Sequence, residues 1–177
     1  MDPRWIVVVL ANALLVFLGG QLDHYLAHAS VSVFLLGACL PLAGLRLRFR
    51  PGLIAMFVSG LVVDAGRPPV FFGSSAVLLA TLFTCWHSVR LRLPRDGAAP
   101  QIVGAIAANL VLFLAQPFLL GIDIAGGTTW NRVLIDLLLS QVAVAVIMPW
   151  FFALQERALL LRGVNLAEEA RAPGGAL

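Results

Sequence analysis

Apolar residues fall in six blocks separated by short polar stretches: 5–22, 31–45, 51–63, 70–88, 102–120, and a last one running from 130 past 154. A helix needs about 20 apolar residues to cross a hydrocarbon core of roughly 30 Å. Six such helices and their loops use nearly the whole of a 177-residue chain. The pattern predicts an all-α integral membrane protein with six transmembrane helices. Residues 1–165 form one domain, leaving no room for a separate soluble catalytic domain. The tail 166–177 is small, polar and Gly/Pro-bearing, and disorder is expected there.

Two blocks depart from this pattern. Block two is short, and block three, 51–63, would span only about 20 Å as a helix. Asp64 closes block three, and Pro68-Pro69 blocks helical continuation. The chain between Asp64 and Gly73 is therefore expected to leave helical geometry near or within the outer leaflet. Irregular backbone at that depth must be covered by protein or line a wet cavity. Block six is long, and Pro149 is expected to kink it at the inner face. Arg4, an apolar run and Ala27-His28-Ala29 imitate a signal peptide, but the run ends well before that site. The first helix is read as retained.

Composition agrees with the pattern. The chain is 60% hydrophobic and 12% charged, with mean hydropathy +0.96; a soluble domain is about a quarter charged. The basic side chains are all arginine. Arg4, Arg46, Arg48, Arg50, Arg90, Arg92, Arg95, Arg157, Arg162 and Arg171 fall on one side of the six-block layout, Arg67 and Arg132 on the other. That asymmetry places both termini in the cytoplasm. It also accounts for the basic balance without a nucleic-acid partner. Trp5, Trp86 and Trp150 fall near the expected inner interface and Trp130 near the outer one. Cys39 and Cys85 lie in apolar blocks and read as small hydrophobes, with no metal or disulfide pattern.

Ionisable groups at membrane depth are costly and point to function by default. Asp64 and Asp136 both map to the outer half. One reading makes them a catalytic pair sharing a proton. The favoured reading pairs Asp136 with Arg132, four residues earlier on the same helix face, and has Asp64 cap its loop or accept backbone N–H bonds. Ligand contact and proton coupling stay open. Asn12, Asn109, Gln116 and Gln141 are expected to bridge helices, with cavity lining as the alternative. His24 and His28, beside Asp23 in the first outer loop, have i, i+4 spacing but no surrounding metal motif, and a solvated loop is expected. His87 reads as interfacial. Gly52, Ala55, Ser59 and Gly60, then Ser74, Ser75 and Ala76, allow close helix packing; Gly60 shares a face with Asp64.

The run Gly60-Leu61-Val62-Val63-Asp64, then Gly66, Pro68-Pro69, and Phe72-Gly73 with Ala76 after it, resembles the rod shape-determining MreD family. That family has a glycine-leucine-x-x-aspartate stretch, a glycine- and proline-bearing turn and a glycine opening the next helix. Layout agrees over most of the chain, the motif only over about residues 51–88; the Arg67-Pro68-Pro69-Val70-Phe71 insert is a less usual turn. The resemblance implies a non-enzymatic scaffold of the bacterial elongation complex, without cofactor. It would bind an MreC-like single-pass protein and connect the MreB cytoskeleton to the peptidoglycan glycosyltransferase and transpeptidase. Gly60, Asp64 and Gly73 are the matching positions, and none is catalytic in that family. The resemblance also implies a bundle similar to the substrate-binding subunits of energy-coupling-factor vitamin transporters. Such a subunit is the second reading, with a pocket bordered by Asp64, Trp130, Asp136 and Asn109, although Ala11-Asn12-Ala13 lacks the usual small-residue docking spacing. An intramembrane aspartyl hydrolase is the third.

Overall fold

A computed structural model describes residues 4–26, 28, 31–66, 71–89, 99–120 and 130–161, with side chains for all of these except 99, 100 and 116–120. Residues 67–70, the arginine-bearing 90–98, 121–129 and 162–177, which include the tail 166–177 where disorder was expected, lie outside the described residues.

The described residues form an all-α protein with six α-helices: α1 (Arg4–Leu26), α2 (Leu40–Arg46), α3 (Phe49–Gly66), α4 (Ser74–Val89), α5 (Ala99–Leu120) and α6 (Trp130–Leu161). Three of them, α1, α3 and α6, are long and apolar enough to cross a membrane. This points to a multi-pass membrane protein. The helices run alternately up and down. Gly52 meets Phe83 while Gly60 meets Ala76, so α3 and α4 are antiparallel. At one end lies the Arg46–Glu156 ion pair (3.7 Å) between α2 and α6; this is called the Arg46 end below. The other is the Asp136 end.

Block two departs most from the expectation of a helix. Residues 31–35 have no regular secondary structure, Leu36–Cys39 form a 3-10 turn, and only Leu40–Arg46 are α-helical. Val31 N closes a turn onto the Leu26 carbonyl (3.3 Å), and Leu35 leaves helical geometry at φ −117°, ψ 5°. Every residue from 36 to 45 is buried. The sequence Leu-Gly-Ala-Cys-Leu-Pro-Leu-Ala-Gly-Leu is apolar on all sides, and such a segment belongs in the centre of a bundle. Its glycines admit the neighbours. A Cβ on Gly37 would run into the backbone of Asn109, and one on Gly44 into the Trp86 indole, whose far edge rests on Gly104 of α5.

Of the other helices, α1, α3 and α5 run beyond their apolar blocks, while α4 begins inside its own. α1 continues to Leu26, so Asp23 and His24 lie on its last turn rather than in a loop. α3 begins at Phe49 and continues to Gly66, taking in Asp64. α6 is one helix through Pro149.

Candidate functional site

The polar residues at membrane depth gather around the unwound part of block two. A stretch without regular secondary structure leaves its N–H groups without helix or ladder partners, and in an apolar surrounding each needs an acceptor. Three helices supply them. Asp136 of α6 accepts from Ser32 N (Oδ1, 3.1 Å). Asp23 of α1 accepts from Val33 N (Oδ1, 2.7 Å) and from the Ser32 hydroxyl (3.3 Å). Ser140 of α6 accepts from Phe34 N through its hydroxyl (2.9 Å) while donating to the carbonyl of Asp136 (2.6 Å). Asn109 of α5 accepts from Gly37 N (Oδ1, 3.0 Å), in the fully buried close approach between those two backbones. One side-chain acceptor thus stands in for each missing backbone partner from Ser32 to Phe34 and again at Gly37.

Asp64 does a comparable task at the α3–α4 turn. It is fully buried, and its Oδ2 accepts from Gly73 N (2.8 Å). Gly73 has φ +96°, a left-handed conformation that glycine adopts without strain. Its carbonyl accepts from Val77 N (3.0 Å), which makes it the N-cap of α4. A carboxylate at a helix N-terminus also meets the positive end of the helix dipole. Four residues before Asp64, Gly60 lets α3 lie on the α4 backbone: a Cβ there would strike Ala76. Asp64 Oδ1 is buried with no partner among the described residues.

A third polar group lies deeper, toward the Arg46 end. Gln155 of α6 donates Nε2 to Asn12 Oδ1 (3.0 Å), and Asn12 donates Nδ2 to Ser59 Oγ (3.0 Å). All three are buried, and the chain of bonds ties α6 to α1 to α3.

Comparison with protein-family models, with curated proteins and with solved structures found no match.

The residues singled out from sequence therefore fall in separate places. Gly60, Asp64 and Gly73 converge on one turn. Asn109 and Asp136 both hold block two. No hydrogen bond joins Asp64 to Asp136, and no ion pair between Arg132 and Asp136 occurs among the described residues; the Asp136 carboxylate is turned to Ser32 and Arg132 is exposed. Trp130 is exposed and Asn109 is fully buried. Gln116 lies on α5, its side chain outside the described set. Gln141, with its amide nitrogen toward Ile106, bonds the α5 backbone (3.2 Å to the carbonyl) and bridges α6 to α5. The His24 and His28 rings stand edge to face at 6.5 Å. His87 packs on Phe49 (5.1 Å) and Phe83 (5.7 Å).

Sequence reasoning missed Asp23, Ser140 and Gln155. The signal for the first two was present. A short apolar block leaves room for non-helical backbone, and such a segment needs acceptors on its neighbours.

Proposed function

We propose that the chain is a non-enzymatic membrane scaffold of the MreD type, acting in the elongation complex of a rod-shaped bacterium. The observation that carries this reading is how Gly60, Asp64 and Gly73, the three positions matching the family motif, are used together. Gly60 admits Ala76, and Asp64 holds Gly73, so the motif builds one helical hairpin. Asp136 is likewise engaged with backbone. Each of the two carboxylates holds a protein N–H group on a different element, and no hydrogen bond joins them as an acid pair. That supports a scaffold over a hydrolase.

In this reading all six apolar segments cross the inner membrane with both termini in the cytoplasm, as the arginine asymmetry favours. The Arg46 end then faces the cytoplasm and the Asp136 end the periplasm. The bundle presents its apolar outer faces to lipid and to an MreC-like single-pass partner. Through that partner it connects the MreB cytoskeleton to the glycosyltransferase and transpeptidase.

Two measurements on the same strain test this. Depletion is expected to round the cells, and the tagged protein is expected to co-purify with a single-pass partner bearing a periplasmic coiled coil. Cells that stay rod-shaped on depletion, with no such partner recovered, would overturn the assignment. A tightly held vitamin in the purified protein would favour the transporter reading.

A further inference from the structure

The last third of α6 carries a single charge on an otherwise apolar exposed face. Trp150, Leu154, Leu160 and Leu161 are 79%, 46%, 51% and 90% exposed, and Arg157 is exposed between them. Their spacings of three, four and seven residues put them on one side of the helix. Arg157 also lies inside the level of the other arginines. Gln155 bonds Asn12, and Asn12 bonds Ser59. Along α1, Asn12 is about 12 Å from Arg4; along α3, Ser59 is about 14 Å from Arg50. α6 descends toward the Arg46 end, so Arg157, just past Gln155, lies about 9 Å in from Arg4. The Gln155 and Asn12 side chains each lean toward their own helix N-terminus, which takes up about 4 Å of this and leaves about 5 Å.

The Arg157 side chain leans toward the N-terminus of α6, which is further in again. A guanidinium at that depth meets hydrocarbon, at high cost, unless an anion comes to it. No protein group does so among the described residues. Glu156, the one described acid at the Arg46 end, is turned to Arg46 (3.7 Å). Asp23, Asp64 and Asp136 hold backbone at the other end.

We propose that Arg157 is the headgroup site for an anionic phospholipid of the leaflet at the Arg46 end. The guanidinium takes the phosphate oxygens through paired N–H bonds, and the acyl chains lie along Leu154 and Trp150. The bound phosphate sits deeper than its neighbours, because a membrane arginine draws headgroups inward. Lipid is favoured over the carboxylate of a partner helix because the flanking side chains are large, whereas membrane helices pack on small ones. This site rests on the membrane reading of the chain and not on the wall-synthesis assignment.

Native mass spectrometry of the full chain in non-ionic detergent micelles tests this. The protein is titrated with phosphatidylglycerol or with phosphatidylcholine of the same acyl chains. The unaltered chain is expected to retain phosphatidylglycerol in preference to phosphatidylcholine. Arg157→Gln is expected to weaken that binding about tenfold, the worth of a hydrogen bond to a charged group. Arg157→Lys keeps the charge and is expected to lose less, which separates lost recognition from lost folding. Arg48→Gln removes an exposed arginine beside the start of α3 and is expected to bind as the unaltered chain does. Equal losses in Arg157→Gln and Arg48→Gln would overturn the proposal, because the attraction would then be diffuse. Unchanged binding in Arg157→Gln, or equal retention of the two lipids, would overturn it too. Release of the chain from membranes by alkaline carbonate would remove the membrane reading itself.

Discussion

Asn109, Asp136, Asn12 and Ser59 each carry a definable hydrogen-bonding load, and burial decides how much its loss costs. Gly37 N and Asn109 are both buried, so Asn109→Ala leaves a donor with neither protein nor water. An unsatisfied buried group costs about 1–3 kcal/mol. Ser32 is exposed, so water can replace the Asp136 carboxylate, and Asp136→Ala is expected to cost under about 1 kcal/mol. Denaturant titration of the two variants in lipid–detergent micelles is therefore expected to rank Asn109→Ala well below Asp136→Ala in stability. Equal losses would mean that depth is not what sets the cost. The Asn12–Ser59 bond allows a second measurement. A double-mutant cycle with Asn12→Ala and Ser59→Ala is expected to return a coupling of about 0.6 kcal/mol, the usual size for such bonds between membrane helices. A coupling indistinguishable from zero would mean that the bond contributes nothing to stability.

At the scale of elements, the short second block accounts for most of the others. It crosses the bundle by unwinding, and α1, α5 and α6 carry acceptors where it does so. Its glycines set how near those helices come. Gly37→Ala would press a methyl group onto the Asn109 backbone, which has no flexible end to give way. Overpacking of this kind costs about 1–3 kcal/mol, and here it would also stretch the Gly37–Asn109 bond. Thermal unfolding followed by circular dichroism is expected to show a clear loss for Gly37→Ala and little for Gly20→Ala, where an added Cβ meets nothing within 4 Å. Much of this was legible beforehand. Apolar blocks located the six helices, and Gly60 and Asp64 marked the tight hairpin, but block two was read as a helix although it is helical only over Leu40–Arg46. What could not be read was which side chains would meet it. Asp23 looked like a loop residue because α1's apolar run stops before it, and Ser140 looked like one small hydroxyl among several. Their assignment depends on α1 and α6 facing the same stretch of backbone, a property of packing that one-dimensional patterning does not carry.

For the molecule as a whole, the polar groups sort by height. The Asp64 cap and the acceptors of block two lie toward one end, the Gln155–Asn12–Ser59 chain toward the other, and an apolar core including Leu40, Leu42, Met56, Leu79, Phe83 and Met148 is packed between the helices. Among the described residues these groups fix helices to one another, and the exposed surface is dominated by large apolar side chains such as Phe17, Leu138 and Trp150. That division suits a protein whose work is done by its outer faces. Block two enters the bundle as irregular, non-helical chain held by side chains. Solid-state NMR of the uniformly 13C-labelled protein in bilayers reads this from the Cα and Cβ shifts of residues 31–46. Non-helical shifts are expected for 31–35 and helical shifts for 40–46; an unbroken run of helical shifts from residue 31 onward would overturn it.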